Sequence, residues 1–192
     1  MKKELKIKNL FRTVLLLMII AVSVTACKKD DDDEATPTPP SNEEEVITTM
    51  TLLFTDSAGI QPDASATFRD PDGDGGGGPD IFDTIRLANN TTYFASIILL
   101  NETVSPADTI SNEVLGEADE HIFCFTPSGA NVTIIRTDSD GTYELGLEST
   151  WYTGAVSTGS VQVVLKHQPG TKDGTCNPGE TDVDVTYVTE IQ

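Results

Sequence analysis

Residues 70–83, Asp-Pro-Asp-Gly-Asp-Gly-Gly-Gly-Gly-Pro-Asp-Ile-Phe-Asp, hold the densest set of groups able to do chemistry. Asp70, Asp72 and Asp74 alternate along a glycine-rich turn, and Asp80 and Asp83 lie just beyond. Carboxylates so spaced are how a calcium loop begins, because a hard cation with contacts of roughly 2.4 Å needs several oxygens from one tight turn. An EF-hand would end its loop on a bidentate glutamate, where this chain has Ile81, and no flanking helices are indicated. The expected calcium ligands are therefore Asp70, Asp72 and Asp74, with Asp80 or Asp83 completing a site of another kind. The competing reading is a solvated loop whose consecutive glycines are costly to order. Asp138-Ser139-Asp140-Gly141 repeats the motif in miniature and reads as a plain turn.

Other reactive groups are sparse. His121 and His167 are the only two histidines, and neither has a nucleophile or metal-ligand pattern beside it in sequence. His121 stands where the chain enters one strand and His167 where it leaves another, so both read as structural or solvent-exposed. There is no Gly-x-Ser-x-Gly elbow, and Gly75 to Gly78 is flanked by acids that repel phosphate. No enzyme is expected. Cys124 and Cys176 permit one disulfide in an oxidising compartment, tying residues 121–125 to the loop 171–180. The alternative is a buried free thiol in the apolar run Ile122-Phe123-Cys124-Phe125 plus an unrelated loop cysteine. Trp151 and Tyr152, adjacent on a strand, must face opposite ways, one into the core and the other outward, where it reads as an ordinary isolated surface aromatic or, alternatively, a platform for stacking on a sugar.

The elements that would position these groups have a hydrophobic period of two. Val46, Thr48, Met50, Leu52 and Phe54 share one face, as do Val161, Val163 and Leu165, and Val183, Val185 and Tyr187. Strands are expected near residues 46–54, 66–68, 81–87, 92–101, 121–125, 132–136, 144–151, 160–167 and 182–191, bounded by Gly, Pro, Asn, Asp or Ser. Residues 108–119 hold the one plausible helix, with Asp108 as cap and Gly116 near its end. This pattern predicts an all-β fold, an antiparallel Greek-key β-sandwich of immunoglobulin-like kind with at most one short helix. A closed barrel is the runner-up.

The N-terminus supplies an address. Lys2, Lys3, Lys6, Lys8 and Arg12 precede an apolar run too short to span a bilayer stably but suited to a signal peptide. Thr25 and Ala26 before Cys27 resemble the lipobox of bacterial lipoproteins, in which the cysteine becomes the lipidated first residue. Lys28-Lys29 followed by Asp30 to Asp33 resembles a surface-export signal of outer-membrane lipoproteins. Residues 1–26 then form the leader, 27–45 an acidic, proline-rich tether, and 46–192 the β-domain. Of 12 basic and 31 acidic side chains, five and one fall in the leader, which leaves 7 against 30 and a net charge of −23. So acidic a chain repels nucleic acid and anionic headgroups, and membrane contact is expected through the lipid alone.

Over residues 43–192 the chain resembles a family of small bacterial surface lipoproteins. The match is carried by Glu43-Glu44-Glu45-Val46-Ile47-Thr48-Thr49, Asp72-Gly73-Asp74-Gly75-Gly76, Asn90-Thr91-Thr92-Tyr93 and Gly179-Glu180-Thr181-Asp182-Val183-Asp184-Val185-Thr186. Some members carry the label of a type 1 periplasmic binding fold, a two-lobed α/β architecture at odds with the β pattern. The family brings no active site to carry over. The resemblance implies an outer-membrane, surface-exposed lipoprotein; together with the residues it leads to the expectation of a non-enzymatic binding or accessory module for a glycan or an outer-membrane protein, with calcium ordering the 70–83 loop. The alternative is a structural envelope lipoprotein with no small-molecule ligand.

Overall fold

Alternating apolar and polar residues carry the chain into strands whose apolar sides must meet, and two packed sheets satisfy that requirement. The computed structural model describes residues 45–73 and 76–192. The leader, Cys27, the tether to residue 44, and Asp74 of the acidic loop lie outside the described residues.

Among the described residues the strands are β1 (Thr49–Asp56), β2 (Ala64–Arg69), β3 (Ile81–Phe82), β4 (Ile85–Leu87), β5 (Thr92–Leu100), β6 (His121–Ser128), β7 (Val132–Arg136), β8 (Glu148–Thr153), β9 (Ser157–His167) and β10 (Glu180–Ile191), with one helix, α1 (Ile110–Gly116), between β5 and β6. One sheet runs β3-β2-β1-β5-β8-β7 and is antiparallel throughout. The other runs β4-β10-β9-β6. The all-β sandwich is as the alternation predicts, and β5 returns beside β1 in the manner of a Greek key.

Three details depart from the sequence reading. The expected strand 81–87 divides at Asp83, which donates its N–H to Thr67 O and accepts Thr67 N–H on its carboxylate. Both contacts end β3, and β4 passes to the other sheet, where it pairs with β10 in parallel and makes that sheet mixed. The strand expected at 144–151 starts only at Glu148, because Gly146 at φ +99° bends the chain from one sheet to the other. Leu145 O accepts from Phe123 N on β6, and Leu147 O from Ile97 N on β5. The helix is shorter than expected: Asp108 spends its carboxylate on Thr109 N–H, and Thr109 occupies the cap position without a side-chain cap bond.

Trp151 is fully buried and Tyr152 is 45% exposed, the division their adjacency requires. Phe54 and Phe125 meet Trp151 edge-on at 5.0 and 6.0 Å between ring centroids. Tyr187 of β10 donates its hydroxyl to Met50 O of β1 at 2.9 Å, joining the two sheets through a buried phenol. Burying each such aromatic contributes on the order of 2–3 kcal/mol.

Cys124 and Cys176 are disulfide-bonded, with Cα atoms 6.1 Å apart. Cys124 alternates with the core-facing Phe123 and Phe125, so its sulfur points to the other side of the sheet, where the loop after β9 folds over it. Gln168, fully buried, holds that loop by donating its Nε2 hydrogens to Thr175 O and Pro178 O. The bridge closes a separation of 52 residues. In the chain-entropy account its reduction lowers the unfolding free energy by about 4 kcal/mol, and denaturant melts with and without reductant check this. Coincident melts would mean that the loop is held by its other contacts alone.

Candidate functional site

The two histidines that looked unrelated in sequence are brought face to face. His121 opens β6, His167 closes β9, and the register places them directly opposite each other. Both lie on the inner face, in line with Phe123 on β6 and Leu165 on β9, at the end of the sandwich. Their rings stack 4.6 Å apart at 6° to each other. His121 is wholly buried and His167 is 8% exposed.

Carboxylates gather around this pair from several elements. The ladder between β9 and β10 is irregular between Thr181 and Val183, and Asp182, the residue it adds, has a buried carboxylate 3.7 Å from His121 Nε2. Such a bulge re-aims one side chain without disturbing its neighbours. Glu120 places Oε2 3.5 Å from His167 Nε2. Glu117, the C-cap residue directly after α1, offers its carbonyl to His121 Nδ1 at 3.1 Å. Gly179, at φ +80°, sits so close to the His167 carbonyl that no side chain fits there, which brings the start of β10 against the end of β9.

Burial pushes His121 down to about 4, helped by the positive charges of His167 and Lys172 and opposed by the hydrogen bond to Glu117. Glu45, at the start of the described chain, is pushed up to about 7 by burial and by the charges of Glu113, Asp182 and Glu117. At neutral pH His121 is thus a neutral imidazole among crowded carboxylates. His121, His167 and Glu117 each offer one donor atom within 4.8 Å of the others, the geometry of a group able to hold a metal ion.

The acidic loop assembles differently from expectation. Asp80 pairs with Arg69 at 2.5 Å and Asp83 is committed to Thr67. Asp70 accepts from Gly73 N and Asp72 from Gly77 N, and these contacts close the turn. The Gly77 bond, followed by one between Asp72 and Asp70, holds the Asp72 carboxyl below its ordinary value. Four of the five expected calcium ligands therefore have protein partners, Asp70 and Asp72 within the turn itself and Asp80 and Asp83 outside it, and the fifth, Asp74, lies outside the described residues. Asp138-Ser139-Asp140-Gly141 is a turn, as read: Asp140 Oδ1 accepts from the amides of Thr142 and Tyr143, and Asp138 Oδ1 from that of Gly146.

Asp140 also anchors the nearly buried Lys172, whose Nζ lies 2.8 Å from Oδ2 and 2.6 Å from Ala118 O. One ammonium thus joins the turn before β6, the 138–143 turn and the disulfide loop.

A second surface feature is the outer face of the six-stranded sheet. Phe94 and Tyr152 are 57% and 45% exposed there, and the pairs Thr92 with Tyr152 and Phe94 with Thr150 make them diagonal neighbours. Leu53, Ile98 and Ile135 are exposed on the same face, among Thr51, Ser96 and Thr133. Beside Tyr152 lies an open hollow of ≈ 560 Å³ lined by Asn131, Thr133 and Thr153 among others.

No protein family, curated protein or solved structure matches the chain.

The Lys172 bond is the first cause, and the Tyr143 amide the second, that draw Asp140 from 3.8 to about 2. A carboxyl depressed on folding contributes stability that is complete above pH 3.8 and is lost as pH falls through 2. Asp140→Asn is therefore expected to lower the melting temperature at pH 7 by roughly 5 °C or more, by leaving Lys172 unpaired. Between pH 4 and 2 the gap to the parent should narrow. Thermal melts across that range decide, and parallel curves would remove the pair from the account.

Proposed function

We propose that the chain is a non-catalytic lipoprotein, anchored to the outer membrane through Cys27 and displayed at the cell surface, whose β-sandwich binds neutral glycan chains. The observation that carries this reading is the Phe94 and Tyr152 pair, exposed on one flat sheet face and bordered by hydroxyl side chains. Aromatic rings give sugar C–H faces an apolar platform, and the surrounding threonines and serines supply donors and acceptors for sugar hydroxyls. Exposed apolar groups clustered on one face, with a polar hollow beside them, are what a binding surface presents. The mature charge of −23 favours an uncharged ligand over an anionic one. An acidic, proline-rich tether would hold this face away from the bilayer. Calcium belongs to the reading only as an ion that orders the loop around Asp70, Asp72 and Asp74.

The test uses whole cells expressing the chain and fluorescent neutral oligosaccharides drawn from a glycan array. Cells with the parent chain are expected to retain label. Phe94→Ala and Tyr152→Ala are each expected to weaken binding roughly fivefold or more while leaving the melting temperature unchanged. Cys27→Ser should remove both the surface signal and the chain from the membrane fraction. Failure of every neutral glycan to bind would favour a structural role in the envelope.

A further inference from the structure

His121 Nδ1 meets the Glu117 carbonyl at 3.1 Å, and since a carbonyl only accepts, Nδ1 carries the hydrogen. In the neutral ring, Nε2 is then a bare lone pair. It is wholly buried, has no hydrogen-bond partner among the described residues, and lies 3.7 Å from a carboxylate oxygen of Asp182, an acceptor facing an acceptor. Across the stack, His167 Nε2 is also buried without a hydrogen-bond partner among the described residues and lies 3.5 Å from Glu120 Oε2.

Both separations exceed the roughly 2.7–2.9 Å of a charge-assisted hydrogen bond. No hydrogen bond among the described residues satisfies either nitrogen, whereas His121, His167 and Glu117 each offer a donor atom within 4.8 Å of the others, near the about 3.4 Å that bonds of about 2.1 Å at a tetrahedral angle set between ligand atoms. Donation of the other ring N–H to a main-chain carbonyl is the outer contact that fixes orientation and tautomer in metal-binding histidines.

We infer that the His121 and His167 pair, with Glu117 as the solvent-side third ligand, is a binding site for one divalent cation of the zinc class. Asp182 and Glu120 face the imidazoles and compensate the added charge. Two nitrogens with carboxylate oxygen suit zinc, cobalt(II) or nickel, whereas calcium takes all-oxygen sets. Because the rings are nearly parallel, no single ion lies in both ring planes, so loading the site turns one ring against the other. The site shares no residue with the glycan-binding face and stands whether or not that face binds sugar.

The test is cobalt(II) and zinc titration of the full chain carrying Cys27→Ser, purified in detergent and stripped with a chelator, so that no thiol outside the disulfide competes. Expected are visible cobalt bands that saturate at one ion per chain, their displacement by zinc, and at least about tenfold weaker binding in His167→Gln and His121→Gln. Asp70→Asn with Asp72→Asn serves as the control and should bind as the parent does. Should either histidine variant fail to fold, ring-nitrogen NMR of the parent decides, since the two histidines give only four ring-nitrogen signals. Zinc should move a nitrogen signal of each ring. The inference is overturned by the absence of saturable binding up to about 1 mM metal, by unmoved ring nitrogens, or by undiminished binding in both folded histidine variants.

Discussion

The register of β9 is the constraint on which the rest of the structure depends. β9 lies between β6 and β10 and pairs with both, so its alternation fixes what faces inward across most of the second sheet. Val161, Val163 and Leu165 point at the core, and His167 follows two residues later on the same side. A slip of one residue would turn this whole row to solvent and bring Gln162, Val164 and Lys166 against Trp151 and Phe54. The cost would be several buried side chains at roughly 1.5–3 kcal/mol each, which is how the register is enforced.

Three consequences descend from that one alignment. Cys124, opposite the outward Val164, can reach the loop that closes over the sheet and meet Cys176. His121 is set against His167, and both are carried under the edge of the sandwich, where water is excluded. The irregularity at Asp182 then turns a carboxylate toward the buried imidazoles while Val183 and Val185 stay in line with the core. The polar cluster is thus supported by the same apolar rows that close the core, and that burial is what keeps His121 neutral at pH 7.

Much of the fold was legible because the information is local. Alternation in β1, β9 and β10 marks both the strands and their buried faces, and the adjacency of Trp151 and Tyr152 forces one ring out. Non-local features were not legible. Nothing in residues 81–87 says that Asp83 will cap Thr67 and divide the strand, or that β4 will lie parallel to β10. Leu145 and Leu147 alternate as a strand would, yet Gly146 takes them between sheets. In the acidic loop the spacing suggests one shared cation, and it does not show that Arg69 and Thr67 pair with Asp80 and Asp83. The histidine pair was half visible. One histidine at a strand's start and one at another's end become partners if those strands pair antiparallel, and that pairing was the missing piece.

The central claim is that β6 and β9 align so as to stack His121 on His167 inside the sandwich, and nuclear Overhauser contacts between the two imidazoles measure this directly. At a centroid separation of 4.6 Å, strong ring-to-ring contacts are predicted, together with contacts from Phe123 and Leu165 to the core aromatics. Absence of any ring-to-ring contact, with either imidazole exchanging freely with water, would contradict the register and everything built upon it.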